Sequence, residues 1–402
     1  MTEDANLADR MTRATLRGIE RFPVPALAAL IVGVILVSTL NGGGEASWFF
    51  AAMAGFFWAC AAAMAWERKG VATLWPLAPA GLAVILALMA HETETLAAGT
   101  GVFIVAGGVF ATLVALTGPL TRDDAEGWNA ARRAALEAAL ALAIAALACV
   151  GLTAAMIQID LLFSAQILEN NLATLWGMGL GAGAPLIWFA RIPERDAAPA
   201  EPGGFYRGLV LWLLLPLAAL YLLVLHGFAV RLAPSFALPE GGTGWTIAVF
   251  LLAVATALHA SSGLTGGKRL NAIRRWAPAT MIAPAAVVIF AAAERIDAYG
   301  LTEPRIALIA LGIWAIVMSV GGYAFSPLHG LRWQAAGVAA TASLLSFGPL
   351  SATSLAIADQ KAVYARLSAA IDGAAPSGDD ARRLGAVADF LRDRDALTHD
   401  DW

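Results

Sequence analysis

Apolar runs of about 17–25 residues, the length that crosses the hydrocarbon core of a bilayer, recur along the chain. They fall at 22–40, 47–66, 71–90, 100–120, 134–157, 172–189, 208–228, 245–262, 277–293, 306–324 and 334–350. A backbone in lipid has no water to bond, so each run must satisfy its own amides and carbonyls as a helix. The pattern predicts an all-α integral membrane protein of about eleven transmembrane helices. The sixth run is short and rich in glycine.

Composition agrees. Hydrophobic residues fill 59% of 402 positions and charged ones 14%, against about 25% charged in a soluble domain. Mean hydropathy is +0.71. Cys60 and Cys149 lie inside different apolar runs, so they do not form a disulfide framework for exposed loops. The basic residues orient the chain. Seventeen of the 26 Lys and Arg fall in one alternating set of segments, and only Arg231, Arg295 and Arg305 fall in the other. The remainder are in the tail. Positive loops stay in the cytoplasm, which predicts the N-terminus inside and the C-terminus outside.

Both ends differ from the middle. Residues 1–21 carry Arg10, Arg13, Arg17 and Arg21 at helical spacing, as expected of a cytoplasmic amphipathic segment resting on anionic lipid. Residues 22–350 form the polytopic domain. Residues 351–402 hold six basic and nine acidic residues, enough for a small extracytoplasmic helical subdomain. Leu355, Val363, Leu367 and Ile371 form one apolar stripe, and Leu384, Val387 and Leu391 a second. "APSGDD" lies between them, with Ser377 as an N-cap.

Intramembrane ionisable residues are functional candidates by default, and no Lys, Arg or Asp lies within a run. Glu137 stands four residues after Arg133, as in a helical ion pair. His226 and His259 lie near span ends. An ion-driven pump is therefore disfavoured. In "GMGLGAGAP", Gly177, Gly179, Gly181 and Gly183 precede Pro185, forming two GxxxG pairs. Such glycines let helices pack closely, or, ahead of a proline, break a helix at a transport site. "GLTGGKR" (263–269) resembles a phosphate loop but is one residue short and ends in Arg269 instead of Ser or Thr. No metalloprotease, serine-hydrolase or paired-cysteine motif occurs, and no cofactor, metal site or nucleic-acid partner is expected. His91, Glu92, Glu94, Asp160, His226, Glu294 and Asp297 all map to outer helix ends, a weak candidate for a metal or acid–base site.

The stretch "ERIDAYGLTEPR" (294–305) is the most pointed signal. Tyr299-Gly300-Leu301 reads as a helix end with glycine in the left-handed position. Thr302 reads as the next N-cap, with Glu303 and Pro304 in its first turn. Arg295 and Tyr299 share a helix face, and closing the turn brings Arg295 and Arg305 together, with Glu294, Asp297 and Glu303 available to neutralise them. Followed by the run containing Trp314, this stretch resembles the R-I-x-x-Y-G-L-T-x-x-R signature of domain-of-unknown-function family 4153, to which family 4173 is related. The segment with Leu238, Pro239, Gly244 and Trp245, where His226 stands at a position more often aromatic in the family, and the tail "FGPLSATSLAIADQKAVYARL" are similar to the same family. The resemblance covers about 208–367. It implies a multi-pass protein of the bacterial inner membrane, and no activity. It marks Arg295, Tyr299, Gly300, Leu301, Thr302 and Arg305 as positions to test.

Taken together, the residues favour a non-catalytic envelope component that binds a partner protein, an anionic lipid or a small ligand at its outer face. The alternative is a permease for an apolar or weakly polar solute that uses a broken sixth helix. An outer-face enzyme is the weakest reading.

Overall fold

The computed structural model describes residues 2–43, 46–67, 94–117, 124–163, 166–192, 201–232, 243–324, 327–371 and 378–397. The predicted run 71–90 lies outside them, as do His91, Glu92, Leu238, Pro239 and Ser377. Among the described residues every regular element is a helix. They are α1 (Thr2–Arg21), α2 (Pro23–Leu40), α3 (Ala46–Glu67), α4 (Glu94–Thr117), α5 (Asp124–Phe163), α6 (Ile167–Arg191) and α7 (Gly204–Leu232). Then follow α8 (Thr243–Ser262), α9 (Lys268–Thr280), α10 (Ile282–Tyr299), α11 (Glu303–Ala324), α12 (Pro327–Ser346), α13 (Ala352–Ile371) and α14 (Gly378–Arg392). Among the described residues eight stretches are long and apolar enough to cross a membrane, and the apolar part of α4 is a shorter ninth. The last predicted run, 334–350, falls mostly within α12. The chain is an all-helical protein with the composition of a multi-pass membrane protein.

It divides into two compact units. The first comprises Met1–Arg122 and Asn129–Pro199, the second Asp123–Trp128 and Ala200–Trp402.

Close backbone approach builds the first unit. A Cβ on Gly101 would meet the Phe50 ring, and one on Gly108 would lie 2.8 Å from Phe57 Cβ, so α4 lies flush on α3. Thr112 donates to Phe57 O at 2.9 Å, and Trp58 Nε1 to Ile104 O at 3.1 Å. Phe22, Phe56 and Phe189 form the aromatic centre beside buried Cys60. At its edge Arg21 pairs with Glu67 and donates to Ile192 O at 2.8 Å. Glu137 pairs with Arg191 of α6 and not with Arg133 as expected. Helical spacing identifies only the local candidate, and the adjacent helix supplies a partner 54 residues away.

In the second unit α8 is central, packed by α7, α9, α10, α11 and α12. The polar ends of its neighbours cap its C-terminal carbonyls. Trp128 Nε1 donates to His259 O at 2.8 Å, Tyr206 Oη to Ala260 O at 2.8 Å, and Arg274 to Ser261 O. Arg274 also reaches Leu264 O at 2.7 Å, and Arg207 reaches Thr265 O at 2.9 Å. A phosphate cradle presents backbone amides. Here the "GLTGGKR" loop presents carbonyls, already taken by guanidinium groups. His259 Nε2 stands 2.8 Å from Gln334 Oε1, joining α8 to α12. The tail helices α13 and α14 belong to this unit and pack through Val363, Val387 and Leu391, flanked by Tyr364, Leu367 and Phe390.

Candidate functional site

The stretch 294–305 lies where α10 turns into α11. Gly300 has φ 77° and ψ 177° and sends its N–H to Ile296 O at 2.7 Å. This is not the left-handed helical conformation expected of a capping glycine but the extended positive-φ region, populated almost only by glycine. The chain therefore leaves α10 abruptly, with the peptide groups on either side of Gly300 turned outward. Thr302 takes the N-cap position, its carbonyl accepting from Arg305 and Ile306 N–H at 3.0 Å each.

The exposed peptide groups are read by the tail. Gln360, 2% exposed, donates both Nε2 hydrogens, to Tyr299 O at 3.0 Å and Leu301 O at 3.1 Å. Asp359 Oδ2 accepts from Leu301 N–H at 2.6 Å. A Cβ on Gly300 would stand 2.5 Å from Gln360 Nε2 and 3.0 Å from Asp359 Oδ2. Backbone conformation and tail contact thus each require glycine here. Ser351 N-caps α13, accepting from Ser354 N–H at 3.1 Å, and so fixes the start of the helix that delivers this pair. A second contact comes from beyond α14. Arg394 clamps Glu303 with both arms of its guanidinium, at 3.1 and 3.3 Å, and stacks on Phe390, while the two charged side chains are 10% and 6% exposed. Arg383 adds a bond to Asp297 O at 3.3 Å.

The two arginines of this stretch do converge. The Cζ atoms of Arg295 and Arg305 lie 5.8 and 5.7 Å from the Tyr299 ring centroid, and Arg305 donates to Gly300 O. Their neutralisation is not as expected. Glu303 turns away to Arg394, Glu294 and Asp297 are exposed, and among the described residues neither arginine forms an ion pair. Asp359, beside Leu301, is the acidic group whose charge acts on Arg305. Sequence reasoning missed Asp359, Gln360, Arg383 and Arg394. The adjacent polar pair Asp359–Gln360 at a buried turn of α13 was a signal, but nothing local named its partner.

The other candidate elements separate. Helix α6 does not unwind at its glycines but continues through a π turn over Gly179–Gly183, closed by Ala184 N–H bonding to Gly179 O. In an α-helix the Pro185 ring would meet the Gly181 carbonyl, and the wider turn relieves that clash. Helix α7 does the same, with a π turn over Leu209–Leu214 just ahead of Pro216. Gly177 and Gly181 face α2: a Cβ on the first would stand 2.6 Å from Val37 Cγ2, and one on the second 2.6 Å from Gly33 Cα. Gly179 faces Cys149 of α5, and Gly183 is nearly open. Asp160 is a cap, accepting from Ile167 and Leu168 N–H at 2.7 and 2.8 Å. His226 Nδ1 lies 2.7 Å from Leu222 O of its own helix. Among the described residues no three His, Cys, Asp or Glu stand close enough to hold a metal ion.

A family model, Domain of unknown function (DUF4153), matches residues 26–367. The match takes in the α10–α11 turn together with Asp359 and Gln360, and stops before Arg383 and Arg394. No curated protein and no solved structure matches the chain.

Proposed function

The chain belongs to the DUF4153 family, and from that premise we propose that it is a non-catalytic component of the bacterial inner membrane. It binds a partner, lipid or small ligand at the outer-face surface made by the α10–α11 turn and the tail. The carrying observation is that Asp359, Gln360, Arg383 and Arg394 all converge on one turn. A turn that only joined two spans would need none of them, whereas a surface that must keep its shape outside the membrane does. The strong bias of Lys and Arg to one set of loops supports eleven spans with the C-terminus outside. The unbroken α6, with Gly177, Gly179 and Gly181 packed against Val37, Cys149 and Gly33, favours this reading over a permease working at a broken helix.

One experiment tests side and binding together. Cys60 and Cys149 are buried, so an added surface cysteine is the one an impermeant reagent meets. A membrane-impermeant maleimide–benzophenone applied to spheroplasts should label Ala298→Cys, which is exposed, and illumination should then give a discrete adduct. Leu223→Cys, on the apolar flank of α7 and 71% exposed, should stay unlabelled. An unlabelled Ala298→Cys would refute the outer orientation, and labelling without an adduct would refute binding at this surface.

A further inference from the structure

We infer that Arg295, Tyr299 and Arg305 form a binding site for the phosphate group of an anionic phospholipid. This rests on the surface-binding reading above and names its ligand. Two guanidinium groups flank one tyrosine ring, and among the described residues neither has a carboxylate partner. Arg394, by contrast, is neutralised by Glu303, and Arg305 spends one arm on Gly300 O, which leaves the rest of its guanidinium without a bond among the described residues. Two like charges held together, with Asp359 the one acidic group whose charge acts on Arg305 and no described carboxylate in direct contact with either, retain a net positive charge that an anion brought from outside stabilises. Guanidinium forks match phosphate oxygens bidentately. Tyr299 is 53% exposed, and its hydroxyl, without a bond among the described residues, is a further donor.

Position selects a lipid headgroup over free phosphate. Arg295 lies two residues beyond the apolar run 277–293, and Arg305 immediately before the run 306–324. Both helices carry exposed apolar side chains in those runs, Phe290 at 42%, Ile313 at 52% and Val317 at 60%, as surfaces facing acyl chains do. The site therefore sits at headgroup level, where tyrosine and arginine partition with their polar ends toward phosphate. Asp359 opposes a second negative charge near Arg305 and limits the site to a singly charged phosphodiester, in preference to a dianionic monoester.

The test uses the full-length protein, purified and delipidated in neutral detergent, and incorporated into vesicles of phosphatidylcholine with or without 20% phosphatidylglycerol. Lipid within reach of the site is read by quenching of a fluorophore on Ala298→Cys by headgroup-labelled probe lipids, and inorganic phosphate is titrated separately. The expected result is about tenfold enrichment of phosphatidylglycerol over phosphatidylcholine, two basic groups near an anionic headgroup being sufficient for that factor. Enrichment should weaken with salt and be lost in Arg295→Gln/Arg305→Gln. Arg295→Gln alone, which breaks no ion pair and keeps the Arg305–Gly300 bond, should lose most of it at an unchanged thermal midpoint. Equal occupancy by both lipids in the parent, enrichment that survives the double substitution, or tight binding of inorganic phosphate without lipid preference would each overturn the inference. A discrete adduct from Ala298→Cys without phosphatidylglycerol enrichment would sink this inference alone and leave the surface-binding reading intact.

Discussion

Arg394→Ala should destabilise the protein more than any other single change in its C-terminal tail, by about 3–5 kcal/mol. Its partner Glu303 is 5% exposed and takes both arms of the guanidinium. Removing the arginine leaves a buried carboxylate that must either stay charged without a partner or take up a proton. The pair is a poor source of net stability in itself, since desolvation of two ions offsets most of their attraction. The double replacement Glu303→Leu/Arg394→Leu should therefore restore most of the loss. Thermal unfolding in detergent decides this: for a unit of this size the single change corresponds to roughly 10 °C in the midpoint. A double variant as unstable as the single would show that the cost came from lost packing on Phe390 and not from the stranded charge.

The second large effect belongs to Gly300. Gly300→Ala should lower stability by about 3–5 kcal/mol, from two separable causes. An alanine at φ 77° and ψ 177° enters a region that costs of order 1–3 kcal/mol. Its methyl group would also stand 2.5 Å from Gln360 Nε2, displacing the amide from two carbonyls at about 1 kcal/mol each. Gln360→Ala removes the nearer obstacle and leaves Asp359 Oδ2 at 3.0 Å, so in that background Gly300→Ala should cost mainly the backbone part. Strict additivity of the two changes would contradict the proposed contact between turn and tail.

These residues also mark how far the sequence could be read. Gly300, Thr302 and Pro304 declare a turn because their local chemistry leaves few other uses, and the structure has a turn there. The i,i+4 spacing of Arg295 and Tyr299 likewise put both on one face. The type of glycine conformation was not legible, since φ > 0 alone does not distinguish a capping turn from an extended one. Ion-pair partners were not legible either. Glu137 and Glu303 each have a plausible arginine nearby in sequence, yet pair with Arg191 and Arg394, 54 and 91 residues away. Local spacing yields candidates, and tertiary packing chooses among them. At "GMGLGAGAP" the four-residue glycine period identified a close-packing face, now seen against α2. Hydrophobic periodicity does not separate an α turn from a π turn, so the bulge ahead of Pro185 left no sequence trace apart from the proline.

That the turn and the tail form one structural element is tested most directly at the Leu301 amide. Its N–H is held by the carboxylate of Asp359, and the adjoining peptide groups are held by Gln360. Hydrogen–deuterium exchange of a peptide spanning 299–306 should therefore be slow in the parent protein. In Asp359→Ala/Gln360→Ala it should speed up at least roughly tenfold, the loss of more than one hydrogen bond's worth of protection, while peptides from α2 and α6 are unchanged. Exchange at 299–306 that is equally slow with and without those two side chains would contradict the account.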